Sequence, residues 1–187
     1  MPEKYDAIVV GSGLSGMSSA IILANKGRRV AVVEKSRHLA PVLAGFRRAG
    51  VTLDTGFHYA GSLGPGEILE TYFKYLGVAD TIEPVALDEN AFERHIYPDS
   101  VTGKRLSVDL PWGYERLGPA LKEMFPAERA GIDRYLLLVR ELFDSSQFLN
   151  LDMPLQKNGI GNYGHGQTLS EFLEENIQDP ILACTLS

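Results

Sequence analysis

Hydrophobic residues in the first 35 positions follow a strand–helix–strand pattern. Two four-residue apolar runs rich in β-branched residues, 7–10 and 30–33, predict buried strands. Between them, apolar residues recur at the spacing of one helical face: Leu14, Met17, Ile21 and Ala24, with Ala20 and Leu23 beside them. Gly27 comes shortly after and suits the left-handed residue that ends a helix. The pattern therefore predicts a βαβ unit.

The apolar pattern then becomes shorter and more irregular. Residues 46–54 predict two short extended pieces around a turn at Ala49 and Gly50. Apolar positions return at helical spacing over residues 67–76, and Gly77 follows them. We expect a helix that ends at this glycine.

An antiparallel hairpin is predicted farther along the chain. Residues 104–110 alternate apolar and polar side chains, as in a half-exposed strand, and residues 91–97 form a candidate partner strand. Because antiparallel pairing does not continue a βαβ unit, we expect a second domain. The predicted division is a dinucleotide-binding domain over residues 1–79 and the start of another domain over residues 80–187.

The remaining pattern is mostly helical. Pro119 and Pro126 are each predicted to be a first helical residue. A long amphipathic face covers residues 132–143, and Thr168 with Glu171 forms a capping box that opens a helix. Residues 181–187 look like the start of a further helix without a cap, so we expect the chain to be a fragment of a longer protein.

The first predicted strand runs directly into a complete G-x-G-x-x-G motif. Gly11 permits the tight turn, Gly13 lets a pyrophosphate approach the backbone, and Gly16 lets the helix pack close to the strand. Glu34 ends the second strand, 18 residues after Gly16, where a carboxylate can accept hydrogen bonds from a ribose diol. The predicted cofactor-binding residues of this segment are Gly11, Ser12, Gly13, Leu14, Ser15, Gly16, Glu34 and Lys35.

The alternatives at this motif differ in ligand. The helix N-terminus favours phosphate groups, and the carboxylate of Glu34 disfavours the 2′-phosphate of NADP. Lys35 either lies over an adenine or is exposed. If the segment binds no ligand, it is an ordinary βαβ unit whose glycines serve only the turns.

Composition narrows the class of protein. Of 187 residues, 44% are hydrophobic, 22% are charged, and the net charge is −6. Residues 1–50 carry eight Lys/Arg and three Asp/Glu, a net +5 that suits an anionic cofactor, so the rest carries −11. The basic residues are scattered among apolar strands, so we expect no nucleic-acid partner. The single cysteine, Cys184, excludes an internal disulfide and a cysteine-based cluster, and together with the lack of a signal-peptide pattern it predicts a cytoplasmic protein.

Two segments carry a resemblance to a known family. Besides the glycine motif with Glu34, residues 50–61 read GVTLDTGFHYAG. This resembles the D-x-G-x-H-Y-x-G segment of FAD-dependent oxidoreductases of the phytoene desaturase superfamily, in its carotenoid isomerase and retinol saturase branch. The resemblance implies FAD as cofactor, places Gly56 and His58 beside it, and covers about residues 5–77. It also implies an α/β fold, with a Rossmann-like FAD-binding unit followed by an α+β substrate domain.

One short segment departs from the family. Such proteins usually carry a Gly-Gly pair, often followed by Arg, six residues past the acidic residue, where this chain has Ala40, Pro41 and Val42. Proline removes an N–H donor and fixes φ, so the departure bears on how this loop approaches the cofactor.

The resemblance implies a function as well as a fold. It points to hydride exchange at flavin N5 with carbon–carbon bonds of an isoprenoid or similar lipophilic substrate, and to peripheral membrane attachment as an option. We name no catalytic acid or base and no metal ligand. Two alternatives stay open: an amine-oxidase-like flavoprotein, and a non-catalytic dinucleotide-binding domain. NAD also remains open as the dinucleotide.

Overall fold

The computed structural model describes residues 4–40, 45–55, 59–98, 105–146, 148–154 and 166–187. Contacts divide the chain into two compact units, Met1–Pro84 (unit 1) and Val85–Ser187 (unit 2). The predicted boundary after residue 79 stays a prediction.

Unit 1 begins with the expected βαβ unit. Strand β1 (Ala7–Val10) leads into helix α1 (Leu14–Asn25), and strand β2 (Val30–Val33) returns parallel to β1 with Ala7 opposite Val30. Gly27 has a φ of +76°, the left-handed conformation expected after the helix. The prediction of an α/β, Rossmann-like unit is confirmed.

The buried face of α1 differs from the predicted one. Ala20 is buried, and Gly16 lies one turn before it, close to β1, whereas Leu14 and Ala24 are exposed. The predicted face included Leu14 and Ala24 and placed Ala20 only beside it. Because a glycine allows the closest approach of a helix to a strand, Gly16 and Ala20 face the sheet instead.

The rest of unit 1 is built from short elements. Strands β3 (Phe46–Arg48) and β4 (Val51–Leu53) form an antiparallel hairpin. Its turn places Ala49 and Gly50 at φ values of +49° and +82°, the combination typical of a two-residue hairpin turn. Helix α2 (Ile68–Leu76) ends at Gly77 as predicted, and a 3₁₀ turn follows over Ala79–Thr81.

Unit 2 opens with the predicted hairpin. Strand β5 (Glu93–Pro98) pairs antiparallel with β6 (Arg105–Leu110), so that His95 lies opposite Val108. Helix α3 (Tyr114–Met124), a 3₁₀ turn (Pro126–Glu128) and helix α4 (Arg129–Ser145) follow. Helices α5 (Leu169–Asn176) and α6 (Pro180–Leu186) complete the described elements.

The two proline predictions had different outcomes. Pro126 is the first residue of the 3₁₀ turn, as expected. The prediction for Pro119 is wrong, because α3 already begins at Tyr114 and Pro119 lies inside it. The chain turns at Gly113, whose φ of +90° favours glycine, and this starts the helix five residues early.

The start of α6 is fixed by two carboxylates. Glu128 is buried, and its Oε1 accepts hydrogen bonds from the N–H groups of Gln178 and Asp179 at 3.0 and 2.8 Å. Asp179 in turn caps the helix by accepting from the N–H groups of Ile181 and Leu182. The capping box of Thr168 and Glu171 at α5 is also present, as predicted.

One apolar core holds unit 2 together. It is formed by β6, the helices α3 to α6 and the turn between α3 and α4. Its buried members are Val108, Leu110, Leu121, Phe125, Ile132, Leu173, Ile177, Leu182 and Leu186.

Candidate functional site: the glycine loop and Glu34

The glycine loop lies at the carboxyl ends of the two parallel strands. Gly11 has a φ of +96°, which side-chain-bearing residues rarely adopt, and its N–H donates to the carbonyl of Val33 at 2.7 Å. This bond ties the turn after β1 to the last residue of β2. The glycine motif and the residue after β2 are thereby brought to one edge of the sheet, where open α/β folds bind ligands.

Gly16 and Gly13 have different surroundings. A Cβ on Gly16 would lie 2.2 Å from the carbonyl oxygen of Gly11, so only glycine fits where the helix crosses the turn. A Cβ on Gly13 would meet nothing within 4 Å. Gly16 is therefore required by the fold itself, whereas Gly13 leaves open space that a ligand can enter.

The N-terminus of α1 presents free backbone donors. Gly13 is the N-cap residue with an extended backbone, and among the described residues no side chain caps this end and no acidic residue occupies the first turn. Leu14 and Ser15 are exposed and open the helix, where the first backbone N–H groups have no partner within the helix. Open N–H groups and a positive dipole end are the features that bind phosphate.

Glu34 lies directly behind this loop and is held by it. Its Oε2 accepts hydrogen bonds from the N–H and the hydroxyl of Ser12, both at 2.8 Å, and its Oε1 accepts from the N–H of Ser36 at 2.8 Å. The bond from the Ser12 N–H, then the Ser36 N–H and the Ser12 hydroxyl, lower the pKa of Glu34 from 4.5 to about 2. The group is therefore a carboxylate throughout the physiological pH range.

The segment after β2 closes over the same serine. The N–H of Ala40 donates to the hydroxyl oxygen of Ser12 at 3.0 Å. Ala40 has a φ of +45°, so this chain keeps, with an alanine, a backbone conformation that favours glycine. Pro41 and Val42 lie outside the described residues.

The other predicted site residues had different outcomes in the structure. Lys35 is exposed. Gly56 and His58 fall outside the described residues, so their predicted place beside the cofactor stays a prediction. Ser36, which donates to Glu34, was not singled out from the sequence, and Ala40, which donates to Ser12, was noted there only as a departure from the family's Gly-Gly pair. A polar residue two positions after a strand-end carboxylate was the available signal for Ser36.

The donors and acceptors present fit an adenine dinucleotide. The helix end and the open space at Gly13 suit a pyrophosphate, and the carboxylate of Glu34 suits a ribose diol. A 2′-phosphate would meet this carboxylate, so a dinucleotide without that group fits better.

Unit 2 contains a separate chain of polar contacts. The ring of His95 lies 3.1 Å from Glu93 Oε1 through Nε2 and 3.2 Å from the hydroxyl of Tyr97 through Nδ1. The Tyr97 hydroxyl lies 2.8 Å from Oγ1 of Thr185, which is buried. His95 is half-buried, and both of its ring nitrogens contact a polar group. Among the described residues no group of three His, Cys, Asp or Glu side chains could hold a metal ion.

Comparisons with known proteins agree with the glycine loop. Residues 9–76 match the family of NAD(P)-binding Rossmann-like domains. The all-trans-retinol 13,14-reductase of Rattus norvegicus is 34% identical over 142 residues, which is 75% of this chain and 22% of that protein. The human protein of the same name is 32% identical over 148 residues, again 75% of this chain and 22% of the relative.

A plant relative extends the set. Prolycopene isomerase 2 of an Oncidium hybrid cultivar is 32% identical over 149 residues, or 80% of this chain and 24% of that protein. These similarities match the chain to the carotenoid isomerase and retinol saturase-like superfamily. It spans a little over a fifth of the length of the curated relatives it matches.

One structural observation bears on whether the chain crosses a membrane. Within the described ranges, no helix combines the length and the apolar character needed to cross a bilayer.

Proposed function

We propose that unit 1 supplies the adenine-dinucleotide end of an FAD site, and that the whole protein is an FAD-dependent oxidoreductase. Its substrate would be an isoprenoid or similarly lipophilic molecule, changed at a carbon–carbon bond by desaturation, saturation or isomerisation. Relatives named for retinol reduction and prolycopene isomerisation support this substrate class. The observation that carries the proposal is the carboxylate of Glu34, fixed beside an open helix N-terminus at the end of a parallel strand pair.

Each part of the loop has a task in this proposal. The backbone N–H groups at the start of α1 would bind the pyrophosphate, and Gly13 would leave room for it. Glu34 would accept hydrogen bonds from the adenine-side ribose. When bound, FAD supplies the hydride chemistry at N5, so this part of the chain needs to bind and orient the cofactor only.

An absorption spectrum of the purified protein after incubation with FAD and removal of free ligand tests the cofactor. We expect retained flavin bands, and an affinity weaker by about 10- to 100-fold for Glu34→Ala, the equivalent of a charged hydrogen bond. Gly13→Asp should abolish binding, because the added carboxylate would occupy the open space and repel the pyrophosphate.

Glu83→Ala is the matched control, since Glu83 is an exposed carboxylate of unit 1. It should bind FAD as the unaltered protein does. A protein that retains no flavin but binds ADP-ribose would overturn the flavoenzyme proposal in favour of a non-catalytic dinucleotide-binding domain. Binding of FAD together with turnover of a primary amine would favour the amine-oxidase-like alternative.

A further inference from the structure

Ser12 occupies the centre of the loop network and is fully buried, with 0% of its surface exposed. Its hydroxyl donates to Glu34 Oε2 at 2.8 Å and accepts from the Ala40 N–H at 3.0 Å. The serine thus links the glycine loop to the carboxylate and to the segment after β2. Any ligand that approaches Glu34 meets this arrangement.

The hydrogen-bonding capacity of Glu34 is nearly used. A carboxylate offers about four lone-pair positions, and three are taken here by the N–H of Ser12, the hydroxyl of Ser12 and the N–H of Ser36. The N–H of Lys35 also lowers the pKa of the carboxylate, but the hydrogen bonds given for Glu34 come from Ser12 and Ser36, so one position stays open. A ribose diol brings two O–H donors, so at least one existing bond must be released.

The three bonds differ in how easily they can be released. The two backbone N–H groups are fixed by the chain and would be left without an acceptor. The Ser12 hydroxyl belongs to a side chain, so a χ1 rotation can move its oxygen away from Glu34 at the cost of the bond from the Ala40 N–H. Its bond to Glu34 is therefore the one that a diol can replace at the smallest cost.

We propose that the Ser12 hydroxyl competes with the ribose diol for Glu34 and so sets the affinity and the diol selectivity of the dinucleotide site. The inference rests on the proposed dinucleotide site. One ribose hydroxyl fits the position that is still open on Glu34, and the second binds only after the Ser12 hydroxyl has left. Ser12 is thus a specificity residue that weakens binding of the ribose.

Calorimetric titration with ADP and 2′-deoxy-ADP tests the competition. Ser12→Ala frees one acceptor position, so it should bind ADP about 2- to 10-fold more tightly, the equivalent of one net hydrogen bond. It should bind 2′-deoxy-ADP as the unaltered protein does, because a single hydroxyl needs only the position that is already open. Ser19→Ala, the same change at an exposed position of α1, should alter neither affinity.

The unaltered protein provides a test that needs no variant. It should prefer ADP over 2′-deoxy-ADP by less than about 3-fold, since the second hydroxyl gains one bond and displaces another. A preference of tenfold or more would overturn the inference even if Ser12→Ala failed to fold.

The other outcomes separate the two proposals. Weaker binding of ADP by Ser12→Ala would show that the serine preorganises Glu34, and equal tightening for both ligands would show that it only closes the loop. Either result overturns the competition while leaving the dinucleotide site intact. Failure of the unaltered protein to bind ADP or FAD would overturn the proposed function and this inference together.

Discussion

Unit 1 contains the candidate binding site but few buried apolar residues, whereas unit 2 contains a well-packed apolar core. The described part of unit 2 encloses nine buried apolar residues in one core, whereas the buried apolar side chains described in unit 1 are Ala20 and Ile68. On β1, Ile8 is 66% and Val10 is 85% exposed, on the face away from α1. Parallel sheets are normally covered on both faces, so the described part of unit 1 gives its sheet only half of the usual packing.

The two units differ in whether their residues serve mainly ligand binding or mainly stability. The residues that fit a dinucleotide lie in unit 1 and are held by hydrogen bonds, turns and one close helix–strand contact. The residues that pack like a domain core lie in unit 2. Changes in unit 2 should therefore alter stability most, and changes in unit 1 should alter ligand binding most.

Truncation of a core residue should give the largest effect. Leu182 is 0% exposed, so Leu182→Ala should lower the free energy of unfolding by about 2–5 kcal/mol. Trp112, the single tryptophan, lies in unit 2 and reports its urea unfolding by fluorescence. Val10→Ala in unit 1 should change this transition by less than about 0.5 kcal/mol, and an equal effect of both variants would refute the division.

A pair of glycine substitutions sharpens the comparison. A Cβ on Gly131 would lie 2.2 Å from the carbonyl oxygen of Asn176, as close as the Gly16 Cβ would lie to Gly11. Gly131→Ala should destabilise unit 2 by about 1–3 kcal/mol in the Trp112 transition. Gly16→Ala should leave that transition unchanged and abolish dinucleotide binding in a calorimetric titration. Loss of the Trp112 transition in Gly16→Ala would contradict the account.

The hydrogen bond between Tyr97 of β5 and Thr185 of α6 should contribute less to stability. Tyr97→Phe removes the hydroxyl that joins His95 to Thr185, at a cost of about 1 kcal/mol in unit 2 stability. Tyr75→Phe alters an exposed tyrosine of unit 1 and serves as the control in the same urea titration. If Tyr97→Phe and Tyr75→Phe had the same free energy of unfolding, the contacts of the Tyr97 hydroxyl would contribute nothing to the stability of unit 2.

Relief of backbone strain at Ala40 should give a smaller gain. Ala40 has a φ of +45°, and Ala40→Gly should stabilise this segment by about 0.5–1 kcal/mol. Slower hydrogen exchange of residues 34–40 would measure the gain. Ala60→Gly, at a position without a positive φ, should bring no such gain. Faster exchange in Ala40→Gly would mean that flexibility outweighs strain there.

The pH dependence of unit 1 follows from Glu34. Its pKa is lowered to about 2 in the folded protein from 4.5, so its contribution to stability is complete above pH 4.5 and is lost as the pH falls toward 2. Melts by circular dichroism should show unaltered protein and Glu34→Gln converging as the pH falls across this range. A difference that grew on acidification would contradict the hydrogen bonds assigned to the carboxylate.

Local sequence patterns predicted much of this fold. The βαβ unit, the β5–β6 hairpin, the ends of α1 and α2 at Gly27 and Gly77, and the capping box of α5 follow from spacing and turn chemistry. The register of α1 and the start of α3 did not follow. The close approach of Gly16 was expected, but not that Ala20 would share its buried face, and the start of α3 depends on the turn at Gly113, which the apolar pattern does not show.

The sequence predicted which residues form the candidate site but not the hydrogen bonds that join them. The glycine motif and Glu34 were expected from their spacing alone. The hydrogen bonds from Ser12 and Ser36 to that carboxylate, and from Ala40 to Ser12, depend on how the loop folds back. Such contacts join residues up to 28 positions apart, so local patterns do not determine them.

Hydrogen exchange with and without FAD tests the central claim most directly. We expect FAD to slow exchange in residues 8–16 and 34–40 and to leave the core residues of α4 unchanged, because ligand binding stabilises the segments it contacts. FMN, which lacks the adenosine half, should protect neither segment. Protection confined to unit 2, or equal protection by FMN, would contradict the assignment of unit 1 as the adenine-dinucleotide end of the site.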